Sequence, residues 1–442
     1  MKVVIIGNGV SGVTTARYIR KMDSSAEIVI ISGETEYHYS RTALMYIYMG
    51  HMRFENTKPY EDYFWQKNRI DLVFDWVENV DYKNKSLVLK SGQNISYDKL
   101  VLATGSKSNM FGWPGQDLPG VQGLYSYQDL ETLEHNTVGA KKAVIVGGGL
   151  IGVELGEMLL TRGIEVTYLV RETHYWGNIL PKEESTLIAR EMAKHDAEII
   201  YEDELAEVHA GSNGKAEYIT TKKGVKLEAD IVGLTAGVSP AVDFLKDSDL
   251  EIQRGIMVNN FLETNITDVY ALGDCAQFRE PKPGHAPVEQ LWYTGKMQGK
   301  ALASTICGKK REYERGTWYN SAKFFDLEYQ TYGMMFSNAT ETEDTWYWED
   351  SKNYRAFRIT WNKESKTLVG LNFFGMRFRH DVAERWIRKG KSLEYCLEHL
   401  PEGNFDPEFY TKNEDQIIAA YNAQFGTSIK SIKRPSLIAS IF

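Results

Sequence analysis

The residues that first suggest chemistry are glycines. Gly7, Gly9 and Gly12 close the run Val3-Val4-Ile5-Ile6-Gly7-Asn8-Gly9-Val10-Ser11-Gly12, and Gly147, Gly149 and Gly152 close Ala143-Val144-Ile145-Val146-Gly147-Gly148-Gly149-Leu150-Ile151-Gly152. In both, an apolar, β-branched strand runs into G-x-G-x-x-G, and all three glycines recur at one constant interval. That spacing suits a dinucleotide. The first glycine permits a tight turn, the second lets a pyrophosphate approach the backbone, and the third lets helix and strand pack closely. The next residues, Val10 and Ser11 in one copy and Leu150 and Ile151 in the other, then offer the free N–H groups of a helix start to the phosphates. A third feature is Gly273-Asp274, which closes the apolar segment 269–272. A carboxylate at the C-terminal edge of such a strand lies where an open α/β sheet binds its ligand, and it can accept hydrogen bonds from polyol hydroxyls.

The elements that must position these groups repeat as well. A helical stretch at 14–21 and a strand at 27–31 follow the first motif; a helix at 154–160 and a strand at 165–170 follow the second. Each copy therefore predicts a right-handed βαβ unit. Short alternating strands come next, at 72–77, 86–89 and 99–103 around Ser91-Gly92, and at 199–201, 217–220 and 229–234 around Lys223-Gly224. From about Gly316 the pattern changes to aromatic-rich strands at 323–332, 346–348, 356–361 and 368–374, then helices at 381–389 and 416–425. The expected fold class is α/β: two Rossmann-like dinucleotide-binding domains with β-meander insertions, plus an α+β C-terminal domain.

Composition narrows the function classes. A chain of 442 residues is long enough for two to four domains, and 43% hydrophobic with 25% charged residues is the mix of a globular protein. With 51 Lys+Arg against 60 Asp+Glu the net charge is −9, which lacks the basic footprint of nucleic-acid binding. No apolar run approaches the roughly 20 residues of a membrane span. The N-terminus enters a strand directly, so a soluble cytoplasmic protein is expected. Cys275, Cys307 and Cys396 are too few and too scattered for a disulfide framework, a CxxC pair or a metal site, and no metal is expected.

The ordered set of G-x-G-x-x-G, Ala103-Thr104-Gly105, a second G-x-G-x-x-G, Ala236-Gly237-Val238-Ser239-Pro240 and Ala271-Leu272-Gly273-Asp274 resembles the pyridine nucleotide–disulfide oxidoreductase flavoproteins over roughly residues 1–310. The resemblance implies FAD in the first module, NADH or NADPH in the second, and a discontinuous FAD domain. The implied division is 1–112 with 238–312 for FAD, 113–237 for NAD(P)H, and 313–442 as an interface domain of the kind that forms homodimers. Asp274 would hold the ribityl or pyrophosphate region. A helix starting near Glu289-Gln290-Leu291-Trp292 would aim its positive end at the flavin; Trp292 reads as packing, and His285 and Glu289 as a solvated loop, with proton donors as the alternative.

Two ribose-binding positions depart from the pattern. After the second strand the family acid is replaced by Gly33, leaving Glu34, about 20 residues beyond Gly12, as the alternative. In the second module Arg171 and Glu172 share the position. An arginine suits a 2′-phosphate and an acid a free 2′-hydroxyl, so NADH against NADPH stays open.

The branch of the family turns on thiols. Where peroxidases and disulfide reductases carry a redox cysteine, this chain has Thr42, and a hydroxyl cannot cycle through sulfenate or disulfide. Tyr39-Ser40-Arg41-Thr42-Ala43-Leu44 instead matches the Tyr-x-Arg-x-x-Leu loop of rubredoxin and ferredoxin reductases and nitrite reductase flavin domains, with Tyr46 near their lysine. Arg41 reads as a flavin-edge residue or, equally, a surface or phosphate-binding one. Glu154 resembles the family glutamate beside the nicotinamide carboxamide, against the simpler reading of a helix-start acid. The implied reaction passes hydride from nicotinamide to flavin N5 and then electrons to a redox protein or small acceptor. A hydrogen peroxide-forming NADH oxidase and a slow NAD(H)-sensing subunit are the alternatives. The basic, then apolar, ending 430–442 suggests a docking tail for a partner, a subunit or a membrane surface, or a frayed end.

Overall fold

The computed structural model describes residues 1–405 and 411–432. The duplicated sequence pattern folds twice into one kind of unit. In the first, five parallel strands lie in the order Val269–Ala271, Lys99–Leu102, Lys2–Ile6, Glu27–Ser32, Ile70–Phe74. In the second the order is Glu198–Tyr201, Glu165–Val170, Lys142–Val146, Ile231–Leu234, Val121–Gln122, also parallel. The central strands are apolar without alternation because helices or meanders cover both faces; Val3, Val4 and Ile5 are fully buried. The return of Val269–Ala271 to the first sheet places Gly273-Asp274 at the same edge as Gly7.

Each unit carries a three-stranded antiparallel insertion, Val77–Asp81 with Ser86–Leu89 and Asn94–Ser96, and Leu205–Ala210 with Ala216–Thr221 and Lys226–Glu228. The expected strand 72–77 is divided between two sheets. Ile70–Phe74 completes the parallel sheet, Asp75 and Trp76 bend away, and Val77 opens the meander. The expected strands 99–103, 199–201 and 229–234 likewise belong to the parallel sheets rather than to the meanders. A short apolar run reads the same in either setting.

Two crossings join the units, and they pair with each other: Ser106–Ser108 is antiparallel to Val238–Pro240. The remaining chain forms a five-stranded antiparallel sheet in the order Tyr319–Phe324, Leu327–Gly333, Leu368–Phe374, Arg355–Asn362, Glu343–Asp350. The expected single strand 323–332 is in fact the middle of a hairpin. It turns at Phe325-Asp326, with Phe325 at φ 55°, a left-handed conformation for which an aromatic residue gives no sequence signal. Helices His380–Arg388, Leu393–Glu398 and Glu414–Phe425 share a core with this sheet around the buried Trp386. The sheet also meets the helix Lys182–Lys194 of the second unit: there Glu184 is fully buried and accepts hydrogen bonds from Arg358 Nε and Asn372 Nδ2, both at 3.1 Å. Of the expected tail, 433–442 lies outside the described residues. Among the described residues no helix is long and apolar enough to cross a membrane.

Candidate functional site

The two glycine turns have the geometry their spacing predicts. Gly7 has φ 110° and Gly147 φ 124°; a Cβ on Gly7 would lie 2.1 Å from the Ala103 carbonyl oxygen, and one on Gly147 2.8 Å from that of Thr235. No other residue type fits there. The second glycines differ in kind. A Cβ on Gly9 or Gly149 would meet nothing within 4 Å. Both are N-caps, of helices Val10–Met22 and Leu150–Thr161, and neither helix start has a side-chain cap. Open space beside unfilled helix N–H groups is what a pyrophosphate needs, so both cradles fit a dinucleotide.

A third helix start converges on the first cradle. The helix Trp292–Ile306 begins at Leu291, again without a side-chain cap, and packs so closely on Val10–Met22 that a Cβ on Gly295 would come 2.4 Å from Ser11 Oγ. Ser11 also blocks a Cβ at Gly273, at 2.5 Å. Two positive helix ends and the Gly273 turn thus surround one space, which favours an anionic ligand.

Asp274 stands at this edge. It accepts a hydrogen bond from Tyr125 Oη at 3.2 Å, and Tyr125 Oη accepts one from Ser106 N at 3.0 Å. Burial raises the Asp274 carboxyl above its ordinary value, while hydrogen bonds from Tyr125 and Ser106 and the nearby Arg41 charge oppose that rise. The Arg41 guanidinium lies over the Tyr125 ring, 4.4 Å from its centroid, and donates to the Tyr125 carbonyl. Its other partner is Glu34: Nη1 and Nη2 reach the two carboxylate oxygens at 2.9 and 2.7 Å. Tyr39 Oη and Tyr127 N also donate to Glu34. Burial disfavours the Glu34 charge, but Arg41 and these donors outweigh it and hold its carboxyl below the usual range. Arg41 is therefore committed to an internal bidentate pair, and the carboxylate expected to meet a ribose is already held by four donors. Tyr125 links Arg41 to Asp274 and was not among the residues read from sequence. It lies 84 positions from Arg41 and 149 from Asp274, a separation no local motif spans.

Thr42 is exposed in the short turn Arg41–Ala43, with Ser40 Oγ 3.1 Å from its hydroxyl. No thiol replaces the one missing there. Cys275 and Cys396 are fully buried, and burial raises the thiol pKa of both; Cys307 caps the end of helix Trp292–Ile306. Gly105 at φ 73° and Thr104, whose hydroxyl donates to the Ala241 carbonyl at 2.8 Å, complete the floor after Ala103.

Glu289, Gln290 and Leu291 divide. The Glu289 side chain turns into a buried cage, receiving Arg315 Nη1 at 3.0 Å and Tyr313 Oη at 2.8 Å, with His285 Nδ1 at 3.2 Å. Burial and the neighbouring Arg315 lower the His285 pKa. The loop is thus a charged cluster rather than the solvated segment expected. Gln290 Nε2 donates to Ser106 Oγ at 2.8 Å and braces the crossing ribbon, whose second strand begins just after Gly237.

In the second cradle Tyr175 Oη donates to the Gly149 carbonyl at 3.2 Å. Glu154 follows on the same helix. Burial, then the adjacent Glu157 charge, pushes its carboxyl up to about 7; Glu157 itself pairs with Lys323 at 3.1 Å. Arg171 and Glu172 pair with each other at 2.9 Å at the end of Glu165–Val170, with Arg171 mostly exposed. Elsewhere Glu191, His195 and Asp326 cluster, but Lys194 Nζ lies 3.6 and 3.8 Å from the two carboxylates, so a cation already serves them.

Comparison with known proteins agrees with this geometry. An assimilatory nitrate reductase electron transfer subunit of Bacillus subtilis (strain 168) is 27% identical over 378 residues, 85% of this chain and 47% of its own length. The chain thus spans about half of that relative. An NADH-rubredoxin oxidoreductase of Clostridium acetobutylicum is 28% identical over 317 residues, covering 71% of this chain and 76% of the relative. In fold, an NAD-dependent persulfide reductase from A. fulgidus superposes with a TM-score of 0.81 at 22% identity, covering 96% of this chain and 84% of the other. The model of the pyridine nucleotide-disulphide oxidoreductases matches residues 1–299, two thirds of the sequence and both cradles, and the chain belongs to that family.

Proposed function

We propose that the chain is an FAD-dependent NAD(P)H:acceptor oxidoreductase whose electrons leave without passing through a cysteine. The observation that carries this reading is the combination of two open, uncapped glycine cradles with an exposed Thr42, rather than a thiol, in the Arg41–Ala43 turn. Bound in the first cradle, FAD would supply the exchange of electrons between nicotinamide and acceptor.

The protein's own part is positional. Val10, Ser11 and the turns at Gly7 and Gly9 would hold the pyrophosphate, while Asp274, fixed by Tyr125, would receive the ribityl hydroxyls. The uncapped start of helix Trp292–Ile306 would offer its N–H groups to negative charge on the bound flavin. Leu150, Ile151 and the turn at Gly149 would hold the second pyrophosphate, and Glu154 would meet the carboxamide. A carboxyl poised near neutrality can donate to the carboxamide oxygen or accept from its nitrogen. In this reading 1–112 with 238–312 form the FAD domain, 113–237 the NAD(P)H domain, and 313–442 the region that meets an acceptor or a second copy.

The name of one relative supports a reading of the acceptor's class. A rubredoxin is the partner in the name of the Clostridium protein, and a small one-electron redox protein is the acceptor proposed here. Mixing the NADH- or NADPH-reduced protein with rubredoxin, ferredoxin, quinone or oxygen, and following flavin reoxidation, tests it. Reoxidation by a redox protein at least tenfold faster than by air supports the reading; reoxidation by oxygen alone, with stoichiometric hydrogen peroxide, replaces it with an oxidase.

A further inference from the structure

The adenosine end of the first cradle lacks its usual polar group. Gly33 directly follows the strand Glu27–Ser32, where a Rossmann fold places the acid that binds the ribose. The next carboxylate, Glu34, is held by Arg41, Tyr39 and Tyr127. Another side chain stands at Gly33 instead. A Cβ there would lie 2.2, 2.3 and 2.5 Å from Cδ2, Cε2 and Cγ of Trp76. Cδ2 and Cε2 are the ring-fusion atoms, which only an approach through the ring face can reach. The indole therefore lies flat on the glycine, and glycine is the residue that lets it do so.

The outer part of the ring remains available: Trp76 is 55% exposed, unusual for so large an apolar surface. Its backbone is fixed on both sides. Asp75 N donates to the Ser32 carbonyl at 3.1 Å, tying the bend to the end of the strand, and Lys90 N donates to the Trp76 carbonyl at 2.8 Å. The pair places a fixed aromatic plate beside the end of the second strand, on the adenosine side of the cradle.

We propose that Trp76, seated on Gly33, is the adenosine platform of this protein: the adenine or its ribose packs on the free indole face, and apolar stacking replaces the missing carboxylate contact. This deepens the FAD reading above and rests on it. Base–aromatic stacking is sequence-tolerant and strong enough to carry such a subsite, so Trp76→Ala is expected to weaken FAD retention by roughly ten- to a hundred-fold.

The test uses the holoprotein. FAD released on serial dilution, collected by ultrafiltration and read by its fluorescence, gives the dissociation constant for the wild type, Trp76→Ala and Trp76→Phe. The expected order is weak retention for Trp76→Ala and near-normal retention for Trp76→Phe, with NADH affinity and the melting temperature of the flavin-free protein unchanged. The chain carries 10 tryptophans, so the second readout, independent of turnover, is a difference: the share of indole emission that FAD quenches should be smaller in Trp76→Phe than in the wild type. Equal or tighter retention by a folded Trp76→Ala overturns the platform and makes the indole a lid, while leaving the FAD reading intact. A wild-type protein that holds no FAD overturns both.

Discussion

The residue with the most informative environment is Glu154. Its carboxyl is pushed up to about 7 by burial and by Glu157, so the folded protein binds a proton there that the unfolded chain, with an ordinary glutamate value near 4.5, releases. A raised pKa contributes stability that is fully present below about 4.5 and is lost as pH rises towards 7. Glu154→Gln should therefore flatten the fall in melting temperature between these limits. In the proposed reaction it should also remove an inflection near pH 7 from the rate at which nicotinamide nucleotide bleaches the flavin. Persistence of both in the variant would assign them to another group. Sequence identified Glu154 by its place after Gly152, but not its protonation. That depends on burial and on the Glu157 charge, and Glu157 is in turn paired with Lys323 of the C-terminal sheet.

At the scale of elements, the strand–glycine–helix unit was legible because its requirements are local: β-branched residues, one left-handed turn and a helix start, within a dozen positions. The same locality separates two effects of substitution. Gly9 and Gly149 have extended backbones, φ −66° and −108°, and free space around them. Alanine at either should leave folding within about 1 kcal/mol of the parent but place a methyl where phosphate must approach. Gly9→Ala is expected to lose FAD yet melt normally as the flavin-free protein. Gly149→Ala should stay yellow and lose nucleotide binding, measurable by calorimetry with NADH. If either change leaves its ligand untouched, that turn is not a cradle. Elements that depend on distant partners were not legible. The hairpin at Phe325-Asp326 carries no glycine, and the division of 72–77 depends on the bond from Asp75 to Ser32. The helix Tyr127–Asn136 does carry a local signal, a capping box in which Ser126 and Asp129 satisfy each other's backbone N–H groups.

Over the whole molecule, two nucleotide modules share one ribbon crossing, and the third sheet locks onto the second module through Glu184, Arg358 and Asn372. The long-range pairs Arg41–Tyr125 and Tyr125–Asp274 tie the first module's loop to the segment that leads into the second. Motif order within each module is local and made the architecture legible, whereas the Tyr125 link and the Trp76 plate depend on contacts between segments far apart in the chain. The central claim is that no thiol shares the electrons. Anaerobic titration of the purified yellow protein with NADH (NADPH if NADH is not oxidised), followed at the flavin absorbance band, counts the redox centres directly. The flavin should bleach completely at one equivalent of nucleotide per FAD, two electrons in all. An endpoint at two equivalents would reveal a second two-electron centre, and a protein that does not bleach would contradict the account.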